Sequence, residues 1–195
     1  MYLTDEQKIK ITNLMTSLII YQSKYGATTQ YAQWLSEELN IPAIEANSGA
    51  LSGLQNGGVL ILGSSVYIGK LQLSGWLHEN QEQLQAYKLF LFVVSGTPLN
   101  ETAKLFKYVK DSVPQSLFKR IRVFFLPGRL IYEKLSWRDR FMLRMGAFLA
   151  GKKEGARMMM GYDDVKREHL AEFLSHLQPI LSLLKNGVDG INGSK

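Results

Sequence analysis

Leu18-Ile19-Ile20-Tyr21-Gln22-Ser23-Lys24-Tyr25-Gly26-Ala27-Thr28-Thr29 is the stretch that decides the fold. An apolar run of strand length gives way directly to small, hydroxyl and basic residues. Tyr31, Trp34, Leu35 and Leu39 then recur at helical spacing. A strand passing through a glycine-bearing loop into a helix opens an α/β unit. Outward from it, short apolar runs predict further strands at 42–46, 59–63, 88–95 and 120–126, beside the first at 18–21. Amphipathic stretches predict helices at 28–39, 71–84, 100–113 and about 163–184, with Asp163-Asp164 opening the last and Pro179 marking a kink or break in it. Such an alternation predicts a doubly wound five-stranded parallel sheet of order 2-1-3-4-5 with right-handed crossovers.

The domain organisation follows. Residues 15–185 form one α/β domain, and the Gly- and Asn-rich 186–195 form a flexible tail. Residues 1–14 are an N-terminal extension, read either as a helix packing on the body or as a segment before an alternative start at Met15. A length of 195 residues with 46% apolar side chains supports a single packed core and excludes a disordered chain. The absence of cysteine excludes disulfides, thiolate catalysis and cysteine-ligated metals. His78, His169 and His176 are dispersed and make no metal set. The longest apolar run, 89–94, is too short to cross a bilayer, and the polar start is unlike a signal peptide, so a cytoplasmic protein is expected.

The net charge of +6 is unevenly distributed. Ten of the 23 basic residues lie between Lys119 and Lys153 with only Glu133 and Asp139 opposing them, a local +8 that leaves −2 for the rest. A near-neutral body with one basic segment argues against a nucleic-acid coat. Solvated lysines and arginines are the plain alternative to an anionic partner.

Three loops carry the chemistry. In Ser23, Lys24, Tyr25, Gly26, Ala27 and Thr28, hydroxyls, backbone N–H groups and the positive end of a helix dipole converge where a phosphate can bind. Thr28 alone could equally be a helix cap. The loop has neither the spacing of a nucleoside-triphosphate P-loop nor that of a dinucleotide fingerprint. Ser64, Ser65, Val66, Tyr67, Ile68 and Gly69 follow the third strand, and Ser95, Gly96 and Thr97 end the fourth and begin its loop. In the predicted sheet order these three loops meet at the topological switch point, where ligands bind. Tyr67 offers an aromatic face on which a ring could stack.

These loops resemble those of the flavodoxins, which bind FMN. Ser23-x-Tyr25-Gly26-x-Thr28 is similar to the family's Ser/Thr-x-Thr-Gly-x-Thr phosphate loop, with Tyr25 replacing the usual Thr. The resemblance runs from about 18 to 177 and implies FMN as cofactor. It also implies that 65–69 and 95–97 flank the isoalloxazine.

About 35 residues then separate the fifth strand from the last helix, an insertion at about 127–162. In it Trp137, Phe141, Met145 and Phe148 share one helical face, bordered by Arg140 and Arg144, while Arg138 falls near the apolar arc. That face either packs on the sheet or lies on a membrane surface. Gly128-x-Leu130-x-Tyr132 followed by Trp137-x-Asp139-Arg140-Phe141-Met142 resembles the insertion of the flavodoxin-like protoporphyrinogen IX dehydrogenases, FMN enzymes of haem synthesis that pass electrons to membrane quinones. The resemblance implies a porphyrinogen-type substrate, a quinone acceptor and peripheral attachment to an anionic membrane. Arg129, Tyr132, Trp137, Arg138, Arg140, Phe141 and Arg144 are the expected substrate or membrane contacts. A nearly neutral body also differs from the acidic carriers that disfavour an anionic reduced flavin. No acid–base pair with a recognisable spacing is visible, so the reactive group would be the flavin itself. An electron-transfer flavodoxin without substrate chemistry, and a binding protein that kept the fold without FMN, are the alternatives. The sequence leaves a homo-oligomer open.

Overall fold

The computed structural model describes residues 15–149, 155–156 and 159–192. The expectations for 1–14, for Lys152 and Lys153, and for the last three residues of the tail lie outside the described residues.

Strands β1 (Met15–Gln22), β2 (Ala43–Glu45), β3 (Leu54–Tyr67), β5 (Lys88–Ser95) and β6 (Ile121–Pro127) form a parallel sheet in the order β2-β1-β3-β5-β6. A two-residue strand, β4 (Lys70–Leu71), pairs antiparallel with the end of β3. Allowing for β4, the order is the expected 2-1-3-4-5. The central strands β3 and β5 are buried over most of their length, as near-continuous apolar runs in a sheet covered on both faces must be.

Helices α1 (Ala27–Leu39) and α7 (Ala171–Asn192) cover one face, packing Tyr31, Leu35, Phe173 and Leu177 against Ile19, Ile61 and Phe92. The other face carries α2 (Ser74–Glu79), α3 (Gln81–Leu84), α4 (Thr102–Lys110) and α5 (Gln115–Phe118), whose Leu77, Leu84, Val109 and Leu117 meet Leu60, Leu62 and Leu91.

Several boundaries differ from the sequence expectation. β3 extends beyond 59–63 at both ends, its start pairing Leu54 with Met15 of β1 and its end carrying the β4 hairpin. Its two-residue turn is Ile68-Gly69, with φ of 49° and 73°. Leu71 belongs to that hairpin, and the helix expected over 71–84 divides into α2 and α3 at Asn80. The last helix starts later than expected: Asp163 lies in a strand, and a 3-10 turn (Arg167–Leu170) precedes α7. Pro179 is accommodated inside α7. The helix continues through 186–192, which composition assigns to a tail. Each further residue of an existing helix adds a hydrogen bond without a new nucleation cost.

The insertion has a frame of its own. β7 (Arg129–Leu130) and β8 (Tyr162–Asp163) form an antiparallel ribbon that brings its two ends together. The Arg129–Asp163 ion pair, 2.9 Å, reinforces it. Between them lie a 3-10 turn (Tyr132–Lys134) and helix α6 (Trp137–Leu149). Tyr31, from α1, donates a hydrogen bond to the Pro127 carbonyl where the insertion begins (3.1 Å), and burial pushes its phenol up to about 12.

Candidate functional site

A cavity of about 400 Å³ opens at the carboxyl ends of β1, β3 and β5. That volume is within the roughly 300–1,000 Å³ of small-molecule sites. Ser23, Lys24, Tyr25, Ala27, Thr28, Ser65, Val66, Tyr67, Ile68, Ser95 and Gly96 line it, so the three segments converge as the strand order requires, although 64–67, expected as a loop, are the end of β3.

The floor is the start of α1. Gly26 precedes the helix in the left-handed conformation, φ 83°, which a side chain would strain. Its N–H donates to Ser23 Oγ at 3.2 Å. No side chain caps the helix, and its first turn contains no acid. Thr28 is fully buried, and its hydroxyl has no hydrogen-bond partner. An orphaned buried hydroxyl costs stability unless something fills the role of partner. At an uncapped helix N-terminus, an anionic oxygen would do so. The residues present therefore fit the phosphate of the expected FMN.

Other predicted positions hold the frame. Ser64 is fully buried and its Oγ accepts from Leu73 N–H (3.1 Å), so it secures the β3–β4 segment. Ser65 Oγ donates to Gln72 Oε1 (2.7 Å). Thr97 N–H donates to Ser95 Oγ (2.9 Å), and the Thr97 and Tyr108 hydroxyls lie 3.3 Å apart. Gly96 is a close-approach position: a Cβ there would lie 1.8 Å from the Tyr162 hydroxyl. The Lys24 ammonium sits 3.6 Å from the centre of the Tyr67 ring, so one aromatic face is already occupied by a cation.

The cavity is also lined by residues outside the predicted set: the apolar Val94, Leu130, Leu135, Met142 and Leu143, Gly128, and two polar side chains, Tyr162 and Asp139. Tyr162 comes from β8. Asp139 comes from α6, and only 7% of it is exposed. Its carboxylate accepts hydrogen bonds from the Tyr25 hydroxyl and the Tyr67 hydroxyl (2.5 Å), and pairs with Lys24 Nζ at 2.8 Å. Desolvation pushes its pKa up, but these three donors and the Lys24 charge outweigh it and hold the carboxyl well below the usual range. The sequence signals for Asp139 are an acid standing alone in a basic helix and its place in the Trp137-x-Asp139-Arg140-Phe141-Met142 motif.

The insertion residues divide. Arg129 lines the cavity but is paired with Asp163. Tyr132 and Arg144 line a second cavity of about 450 Å³, next to the first and sharing Leu130 and Tyr162 with it. Arg140 is tied down by donation to the Tyr132 and Glu133 carbonyls, 3.2 and 2.6 Å. Trp137, Arg138 and Phe141 are exposed and stand outside both sets of lining residues, with the Arg138 guanidinium 5.3 Å from the Trp137 ring centre. No helix among the described residues is long and apolar enough to cross a membrane.

A family profile described as a flavodoxin domain matches residues 18–155. Relatives similar over most of their length include proteins named protoporphyrinogen IX dehydrogenase [quinone] from Escherichia coli strains K12, O6:H1 and O157:H7. Each is 21% identical over 174 residues, covering 84% of this chain and 96% of the relative.

Proposed function

We propose that this chain, which belongs to the flavodoxin domain family, is an FMN-dependent dehydrogenase that oxidises protoporphyrinogen IX and delivers the electrons to a membrane quinone. The flavodoxin domain and the likeness to the Escherichia coli dehydrogenases support a flavodoxin-like oxidoreductase. The observation that carries the cofactor is the orphaned Thr28 hydroxyl at the uncapped start of α1. Ser23, Gly26, Ala27 and Thr28 would hold the phosphate, and the loops of Tyr67 and Gly96 would flank the ring. When bound, FMN supplies hydride acceptance and onward electron delivery.

The substrate and acceptor rest on the insertion. It covers the cavity with Leu130, Met142, Leu143 and Tyr162, and it leaves Trp137, Phe141 and Phe148 exposed beside Arg138 and Arg144. An apolar and basic surface of this kind suits the interface of an anionic membrane, where a lipid-soluble quinone is found.

One observation favours a second reading, that of an electron carrier. Asp139 is the only carboxylate among the described residues that line the first cavity, and its three donors leave it no role as a proton acceptor. The test is the purified holoprotein with protoporphyrinogen and menaquinone, followed by porphyrin fluorescence. A quinone-dependent rate above the autoxidation blank is expected. A yellow protein with a flavin spectrum and no such rate would establish the carrier instead.

A further inference from the structure

Two charged side chains of the insertion reach the cavity: Arg129, which is paired inside the insertion's own ribbon, and Asp139, whose carboxylate takes its donors from the cavity's other walls, Lys24 and Tyr25 after β1 and Tyr67 at the end of β3. The start of α6 is fastened to the same point. Asp139 N–H donates to Ser136 Oγ (3.2 Å), and Ser136 N–H donates to the Tyr25 hydroxyl (3.4 Å). Tyr25 therefore accepts from one residue of the helix start and donates to another. Apolar packing gives this helix little hold, since its large side chains Trp137, Phe141 and Phe148 are exposed.

The charges around the cavity are already balanced. Lys24 is paired with Asp139, and Arg129 with Asp163. An incoming phosphate finds no uncompensated side-chain cation among the described residues that line the first cavity, and it approaches a buried carboxylate that repels it. We propose that Asp139 is a positioning residue with two effects: it latches the insertion onto the phosphate loop, and by neutralising Lys24 it sets the preference of the site between a phosphorylated flavin and the same flavin without phosphate. The second effect rests on reading the cavity as a flavin site; the first does not.

Asp139 is buried and the Lys24 side chain is 32% exposed, so removing the lysine leaves a buried charge uncompensated and removing the aspartate frees a partly exposed one. Without the Asp139 charge, Lys24 becomes an unpaired cation beside the phosphate cradle and favours the dianion. Without Lys24, the Asp139 carboxylate becomes an unpaired anion and disfavours it. A neutral flavin responds far less to either change. The tyrosine hydroxyls fit the same picture, since both are directed at the carboxylate rather than at the cradle. In Tyr25 the phosphate loop has lost a small hydroxyl residue and gained a handle for the insertion.

The experiment uses the full chain and the variants Asp139→Asn, Asp139→Glu and Lys24→Met. In the flavin-free protein, trypsin cleavage after Arg138, Arg140 and Arg144 is followed by mass spectrometry, with far-UV circular dichroism as the check on folding. Cleavage is expected to be at least about tenfold faster in Asp139→Asn and Lys24→Met than in the wild type; equal rates overturn the latch. Dissociation constants for FMN and riboflavin are then compared by flavin fluorescence. The ratio of FMN to riboflavin affinity is expected to rise about tenfold in Asp139→Asn, to fall in Lys24→Met, and to stay at the wild-type value in Asp139→Glu, which keeps the charge. A ratio unmoved by Asp139→Asn, or moved equally by Asp139→Glu, overturns the charge effect. Failure of the wild type to bind either flavin overturns the flavin reading and with it the preference, while the trypsin result still decides the latch.

Discussion

Two helices of 13 residues each, α1 and α6, make an instructive pair. Both carry aromatic and aliphatic side chains at helical spacing. In α1 that face is the core: Tyr31, Ala32 and Leu35 are fully buried against the sheet. In α6 Trp137, Phe141 and Phe148 are turned outward, 75%, 61% and 81% exposed, while Met142 and Leu143 line the cavity and the buried side chain among them is an aspartate. Apolar periodicity identifies a helix, but which surface its stripe meets depends on the connections at its ends. α1 is delivered by a central strand directly onto the sheet. α6 hangs from a two-stranded ribbon at the carboxyl ends of the strands and is held by polar contacts at its start.

Four measurements would break or sharpen this contrast. The largest effect is in the core: Leu35→Ala is expected to lower unfolding free energy by about 2–5 kcal/mol, while Phe141→Ala stays within about 0.5 kcal/mol, by urea denaturation. Comparable losses would mean that the α6 face is packed after all. Next, Thr28→Val, which removes the orphaned hydroxyl at nearly constant shape, is expected to leave the flavin-free protein as stable or more so and to weaken FMN binding by about ten- to a hundredfold. A loss of stability without a loss of FMN affinity would make the residue structural. Third, binding to anionic vesicles should exceed binding to neutral ones, weaken with salt, and fall about tenfold in a Trp137→Ser/Phe141→Ser variant. Equal binding to both vesicle types would remove the membrane from the proposal.

The smallest effect is the pH dependence of the latch. The Asp139 carboxyl is held below its ordinary value of 3.8 in the folded protein, so the stability it adds is fully present above that value and is lost as pH falls through the lower, folded one. The difference in urea midpoint between wild type and Asp139→Asn should be constant from about pH 5 to 8 and narrow in stronger acid. A difference that changes near neutrality would point to another group.

The body of the fold was legible in the residues because strands such as 88–95 are buried on both faces, and only an apolar run can occupy such a place. The convergence of the three loops followed from strand order alone. What escaped were features set by tertiary partners. The β7–β8 ribbon is two residues on each side, too short for any period to show. Asp139 resembles a routine helix-start acid until Lys24, Tyr25 and Tyr67, more than 70 positions away in sequence, are brought against it. The outward face of α6 had two readings because periodicity describes one helix and burial describes two surfaces.

The β3–β4 turn has a practical consequence for anyone seeking a sturdier scaffold. Ile68 holds a positive φ, rare for a β-branched residue and worth about 1–2 kcal/mol of strain, and it is 65% exposed on the rim of the cavity. Asparagine would suit that turn far better. Gain in durability and change in the shape of the binding mouth thus meet at a single side chain, so an engineer cannot adjust one there without also adjusting the other.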